Sequence, residues 1–123
     1  MTKDLPKIEA FLRQLLVKQT PLLRLRKNEA TVLEACGTKE AMQGKQKVDG
    51  HYFASVMPKP KDIRLYFLPI YSEPDAFTLS PALQKMLKGK SCFHIKQLDD
   101  ALKEELELMV TLALKIYKDK DLI

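Results

Sequence analysis

The sequence predicts an α+β fold: an antiparallel sheet of about five strands packed against a long C-terminal helix, with an N-terminal helix and a short helix before the last strand. Three observations predict it. Apolar residues recur at helical spacing near both ends, runs rich in aromatic and β-branched residues fill the middle, and Pro or Gly separates one run from the next. With 123 residues the chain is a single domain, 1–123, long enough to bury about two-thirds of its surface without disulfide staples.

Pro6 suits a first helical turn, and Ile8, Phe11, Leu12, Leu15 and Leu16 follow at helical spacing until Thr20-Pro21 breaks the pattern, which predicts a helix over 6–19. From Leu22 the period changes. Leu23, Arg24, Leu25 and Arg26 alternate, Asn28-Glu29 can turn, and Thr31 to Ala35 is β-branched and largely apolar, so 22–36 reads as a hairpin, with a second helix as the alternative. Gly37 ends the element in either case. Residues 38–50 hold Gly44, Gly50 and three lysines, and Thr38 to Met42 has room for a short helical turn only.

His51 to Met57 and Ile63 to Tyr71 flank Pro58-Lys59-Pro60-Lys61-Asp62 and should pair as an antiparallel hairpin. Both faces of the second strand are mostly apolar, which makes it central. Ser80 is a natural cap ahead of Pro81; Leu83, Met86 and Leu87 form a stripe, and Gly89 supplies the stop, giving a helix over 80–88. A strand over 91–95 precedes a helix starting at Asp99 or Asp100. There Leu102, Leu106, Met109, Ala113 and Ile116 share the face that docks on the sheet, with acids in the early turns and lysines in the late ones, as the helix dipole favours.

Composition narrows the function classes. At 46% hydrophobic and 30% charged, with mean hydropathy −0.23, the chain is not of the disordered type. The longest apolar stretches, such as Tyr66 to Tyr71, fall far short of the roughly 20 residues of a spanning helix, and no signal-peptide core opens the sequence, so a cytoplasmic location is expected. The net charge of +5 is uneven: residues 1–27 carry seven Lys/Arg against two acids, residues 99–123 four against seven. A basic patch can attract nucleic acid, but electrostatic contact between the two ends accounts for it without one, and no RNA-binding motif is present. Cys36 and Cys92 belong to no CxxC pair, which predicts reduced thiols.

Few motifs suggest chemistry. Gly89-Lys90-Ser91 looks like the end of a phosphate-binding loop, but position 84 is Gln84 where that loop needs glycine, and a helix precedes it where a strand should. Cys92 and His94, two apart in a strand, project from one face. A thiolate and an imidazole there could act as a nucleophile pair, or bind a soft metal with His51 or Cys36; a half-buried cysteine beside a surface histidine is the plainer account. Tyr52, Phe53, Tyr66, Phe67 and Tyr71 could stack on a flat ligand, but strand spacing assigns them to the core.

Tyr52-Phe53-Ala54-Ser55-Val56, Tyr66 to Tyr71, Leu79 to Leu83 and Gly89-Lys90-Ser91-Cys92-Phe93-His94-Ile95 together resemble, in order and spacing, the YdhG-like domain of unknown function over residues 50–123. His94 stands where Asn is common in that family. The resemblance implies helices on an antiparallel sheet and supports the hairpin over 22–36. It implies no catalytic mechanism. Some members are described as frataxin-like intracellular iron chaperones; that role would require transient iron on Asp99, Asp100, Glu104, Glu105 and Glu107.

The residues and the resemblance together lead to a binding domain for a small molecule or a protein partner, with no resident cofactor. Its expected site is a groove formed by Tyr71, Lys90, Ser91, Cys92 and His94, if the strands that carry them are neighbours. The alternatives are the iron chaperone and a thiol-dependent enzyme using Cys92.

Overall fold

In the computed structural model, which describes residues 2–123, helix α1 runs Leu5–Val17, close to the predicted span. The Asp4 carboxylate caps it by accepting from the Lys7 N–H, Pro6 sits in the first turn, and Ile8, Leu12, Leu15 and Leu16 are buried. Strands β1 (Arg24–Asn28) and β2 (Leu33–Cys36) form the predicted hairpin, with a register irregularity in β1 between Leu25 and Lys27. Arg13 of α1 ties down its turn: the guanidinium donates to the carbonyls of Glu29 and Ala30 at 2.8 and 3.0 Å while bonded to Glu9.

The expected helical turn at Thr38 to Met42 is not formed. Ala41–Gln43 (β3) and Gln46–Val48 (β4) pair as a small separate hairpin about Gly44-Lys45, so two short extended segments satisfy backbone groups that one helical turn would leave unpaired.

Strands β5 (Tyr52–Pro58) and β6 (Ile63–Phe67) pair as predicted. The second strand is shorter than its apolar run. Pro69 has no N–H for a ladder, and helix α2 (Leu68–Ser72) starts there, followed by a 3-10 turn at Pro74–Ala76. Tyr71 therefore lies on a helix and not at a strand end.

Helix α3 (Pro81–Met86) is capped by Ser80 and stops two residues earlier than expected. Leu87–Lys88 (β7) instead pairs with β8 (Cys92–Ile95), and Gly89, at φ 75°, turns the chain between them, a conformation only glycine adopts freely. Helix α4 (Asp100–Asp119) begins on Asp99, whose carboxylate accepts from the Leu102 N–H at 2.8 Å.

The main sheet has six strands, one more than expected, in the order β1-β2-β5-β6-β8-β7, every neighbouring pair antiparallel. Leu33, Ala35, Val56, Leu65, Phe67, Phe93 and Ile95 face one side and join α1, α3 and α4 in one core. The alternate positions, among them Glu34, Tyr66, Arg64, Cys92 and His94, form a face that no helix covers among the described residues; Ser55, on that face, is nonetheless buried. In α4 the buried stripe is Leu102, Leu106, Met109, Val110, Ala113, Leu114 and Tyr117; Ile116 is only half-buried. The Tyr117 ring stands edge-on to Phe53 at 5.1 Å, and its hydroxyl donates to the Tyr52 carbonyl with His51 Nδ1 beside it at 3.1 Å.

Burial pushes the Tyr52 phenol up to about 12, against the hydrogen bond from Ser55, and pushes Tyr117 higher still. Both protons are held more tightly in the fold than in the unfolded chain, where tyrosine titrates near 10. Their stabilising contribution is complete below about pH 10 and is lost as pH rises from there through about 12. Melting temperature should therefore fall across that window, and fall less steeply in Tyr52→Phe, when followed by circular dichroism. A second expectation concerns the crossing of three segments. A Cβ on Gly37 would lie 2.3 Å from the Leu122 carbonyl oxygen, and one on Gly50 2.3 Å from that of Gly37. Backbone cannot yield there, so Gly37→Ala should cost about 2–3 kcal/mol in urea denaturation.

Candidate functional site

The pairing that the expected groove required is present: β6 and β8 are neighbours, with Tyr66 opposite Cys92 and Arg64 opposite His94. The five candidate residues nevertheless fall in two places. Phe93 and Ile95 point to the core, so alternation sends Cys92 and His94 to the uncovered face. Tyr71 and Lys90 lie together at the end of the sheet, the Lys90 ammonium 5.6 Å from the Tyr71 ring centroid. Ser91 contributes backbone, its carbonyl accepting from the Phe67 N–H at 2.8 Å.

Tyr71 and Lys90 flank a cleft of about 430 Å³. Its floor is apolar: Ile70 from α2, Phe77 and Leu79 from the segment after the 3-10 turn, and Leu87 from β7. Its rim carries Tyr71, Gln84 and Lys90, and Tyr71 is 53% exposed. Local sequence chemistry builds each wall. Pro69 starts α2 and folds it back from β6, the Gly89 turn carries Lys90 at its tip, and Ser80 fixes α3 by bonding Glu105 of α4 with both its N–H, at 2.8 Å, and its hydroxyl, at 2.6 Å. Phe77, Leu79, Gln84 and Leu87 were not among the sequence candidates. The signal was the pair of prolines, Pro69 and Pro74, which force a turn and bring Phe77 and Leu79 back against the sheet.

On the uncovered face, burial pushes the Cys92 thiol above its ordinary value, opposed by a hydrogen bond with the Tyr66 hydroxyl and the charge of Arg64, and assisted by Asp62. The His94 Nδ1 lies 3.6 Å from Asp62, whose carboxylate also accepts from Arg64 at 3.2 Å. The imidazole lies near a carboxylate but beyond hydrogen-bond distance from it. Cys36 is fully buried on β2, three strand spacings or about 14 Å from β8, and His51 is engaged by Tyr117, so neither is beside Cys92.

The five acids proposed for iron have separate surroundings. Asp99 caps α4, Glu105 holds Ser80, Glu107 lies 3.7 Å from the Lys18 ammonium, and Asp100 and Glu104 are exposed. Among the described residues no group of three or more His, Cys, Asp or Glu is placed to share a metal ion.

No family model, curated protein or solved structure matches this chain.

Burial keeps the Cys92 thiol more fully protonated at neutral pH than an exposed cysteine. Iodoacetamide should accordingly alkylate Cys92 in the folded protein more slowly than it alkylates free cysteine at that pH, with the rate climbing only in the alkaline range; intact-mass kinetics read this directly.

Proposed function

We propose that this chain is a binding module for a small ligand with a flat apolar body and one anionic group, taken up in the cleft beside Tyr71 and Lys90. The observation that carries the reading is the combination in one cleft of an apolar floor and a rim bearing an exposed aromatic ring under a cation. A ligand ring resting on Ile70, Phe77, Leu79 and Leu87 removes apolar surface from water at roughly 25 cal/mol per Å². Lys90 then supplies charge at the mouth, where it is still hydrated enough to be retained without cost, and Tyr71 adds a face for stacking. A volume of about 430 Å³ is within the usual range for small-molecule sites.

Among the described residues lining this cleft, the titratable side chains are the Tyr71 phenol and the Lys90 amine, which supports binding over group transfer. The same reading extends to location and kinship. Two free cysteines suit the reducing cytoplasm, and no helix among the described residues is long and apolar enough to cross a membrane. The helices on one face of an antiparallel sheet accord with membership of the YdhG-like family.

Anilinonaphthalene sulfonate, an aromatic anion, has the chemistry described and reports binding by fluorescence. One saturable site is expected, weakened about tenfold in Lys90→Glu and in Tyr71→Ala with the circular dichroism spectrum unchanged. Absence of saturation, or equal affinity in both variants, overturns the assignment. Native mass spectrometry of the protein purified without chelator then identifies a ligand carried from the cell.

A further inference from the structure

The α3–β7 segment separates two clefts. Gln84 and Leu87 line the one described above, while Lys85, Met86 and Lys88 line another, of about 460 Å³, completed by Ala82, His94, Lys96 and Gln97. We propose that this second cleft binds a small organic phosphate, with Lys85, Lys88 and Lys96 around the phosphate oxygens and the carbon skeleton on Met86 and Ala82.

Charge is the first argument. Three ammonium groups border the cleft and, among the described residues, no carboxylate lines it. Four lysines elsewhere do meet an acid: Lys18 meets Glu107, Lys47 meets Glu40, and Lys39 and Lys120 pair with Asp121 and Glu73. Among the described residues none of Lys85, Lys88 or Lys96 is in an ion pair. Asp62, the acid that approaches His94, is already shared with Arg64. Like charges gathered without a counter-charge repel one another, and an anion between them removes that repulsion.

Placement is the second argument. A lysine on an edge strand blocks sheet extension, which accounts for Lys88 by itself. Lys85 comes from α3 and Lys96 from the residue after β8, so three elements deliver cations to a single cavity. Lysine meets phosphate as a point charge and needs no fixed fork geometry. The cavity size and the Met86 and Ala82 floor select a small ligand with carbon attached to the phosphate.

This inference is independent of the Tyr71–Lys90 cleft, and its test separates the two. The full chain would be titrated with inorganic phosphate, AMP and ATP, followed by calorimetry and by amide shifts in NMR. Saturable binding is expected, AMP tighter than inorganic phosphate, with shifts centred on Lys85, Lys88, His94 and Lys96. The exposed-residue variant Lys85→Glu/Lys96→Glu should weaken ATP by about tenfold or more, whereas Lys115→Glu/Lys118→Glu, an equal charge change on α4, leaves it within about twofold. Lys90→Glu should leave ATP affinity unchanged, and ATP should not displace anilinonaphthalene sulfonate. Equal losses in the two charge-reversal variants, no saturation at millimolar ATP, AMP no tighter than phosphate, or binding of a single-stranded oligonucleotide but not of ATP each overturns it.

Discussion

The docking of Tyr117 onto β5 sets the position of everything on the helical side of the sheet. It is the largest fully buried side chain, its ring meets Phe53 edge-on, and its hydroxyl bonds the Tyr52 carbonyl. A buried phenol that lost this partner would leave a polar group desolvated, so the contact fixes where the helix can sit as well as adding apolar burial. One turn past it, the chain end returns to the sheet, with the Thr38 N–H donating to the Leu122 carbonyl at 3.2 Å. The C-terminal half of α4 is thereby held at the β2–β5 end of the core.

The other half of α4 is held by Glu105. Its carboxylate receives two hydrogen bonds from Ser80, and Ser80 caps α3, so α4 positions α3 through charge-assisted bonds. α3 and β7 then form the wall between the two clefts. Neither cleft comes from one element: each is the space left where a short helix, pinned at its N-terminus, leads into a two-residue strand. An acid that the resemblance would place on an iron-loading surface is a structural tie between α4 and α3.

Periodicity made α1, the β5–β6 hairpin and α4 legible, because each has a clear repeat and a cap or breaker, and left β1–β2 open between a hairpin and a helix. The departures have local causes. The run Ile63 to Tyr71 is mostly apolar along its whole length, and only the missing N–H of Pro69 says where the ladder must end. Leu87-Lys88 continues an apolar helical stripe, yet pairing across the Gly89 turn satisfies its backbone better. In α4 the 4-3-4-3 spacing leads to Ile116, but a 3.6-residue turn drifts from that spacing by about 20° per heptad, and Tyr117 takes the inward place by the last turns. The candidate site was half legible: Tyr71 and Lys90 meet through tertiary folding, while strand alternation puts Cys92 and His94 on the opposite face, and Phe77 and Leu79 carry no periodic signal at all.

A sheet with one face bare invites association along its borders, since an unpaired border strand is a template for another chain. Both borders of this sheet are poor templates. β7 is two residues long and ends in Lys88, and β1 has its register broken between Leu25 and Lys27 in a run of Arg24, Arg26 and Lys27. A foreign strand meeting either side would find too few aligned amides and a row of like charges. The bare face can therefore stay in contact with water at high protein concentration without seeding fibrils.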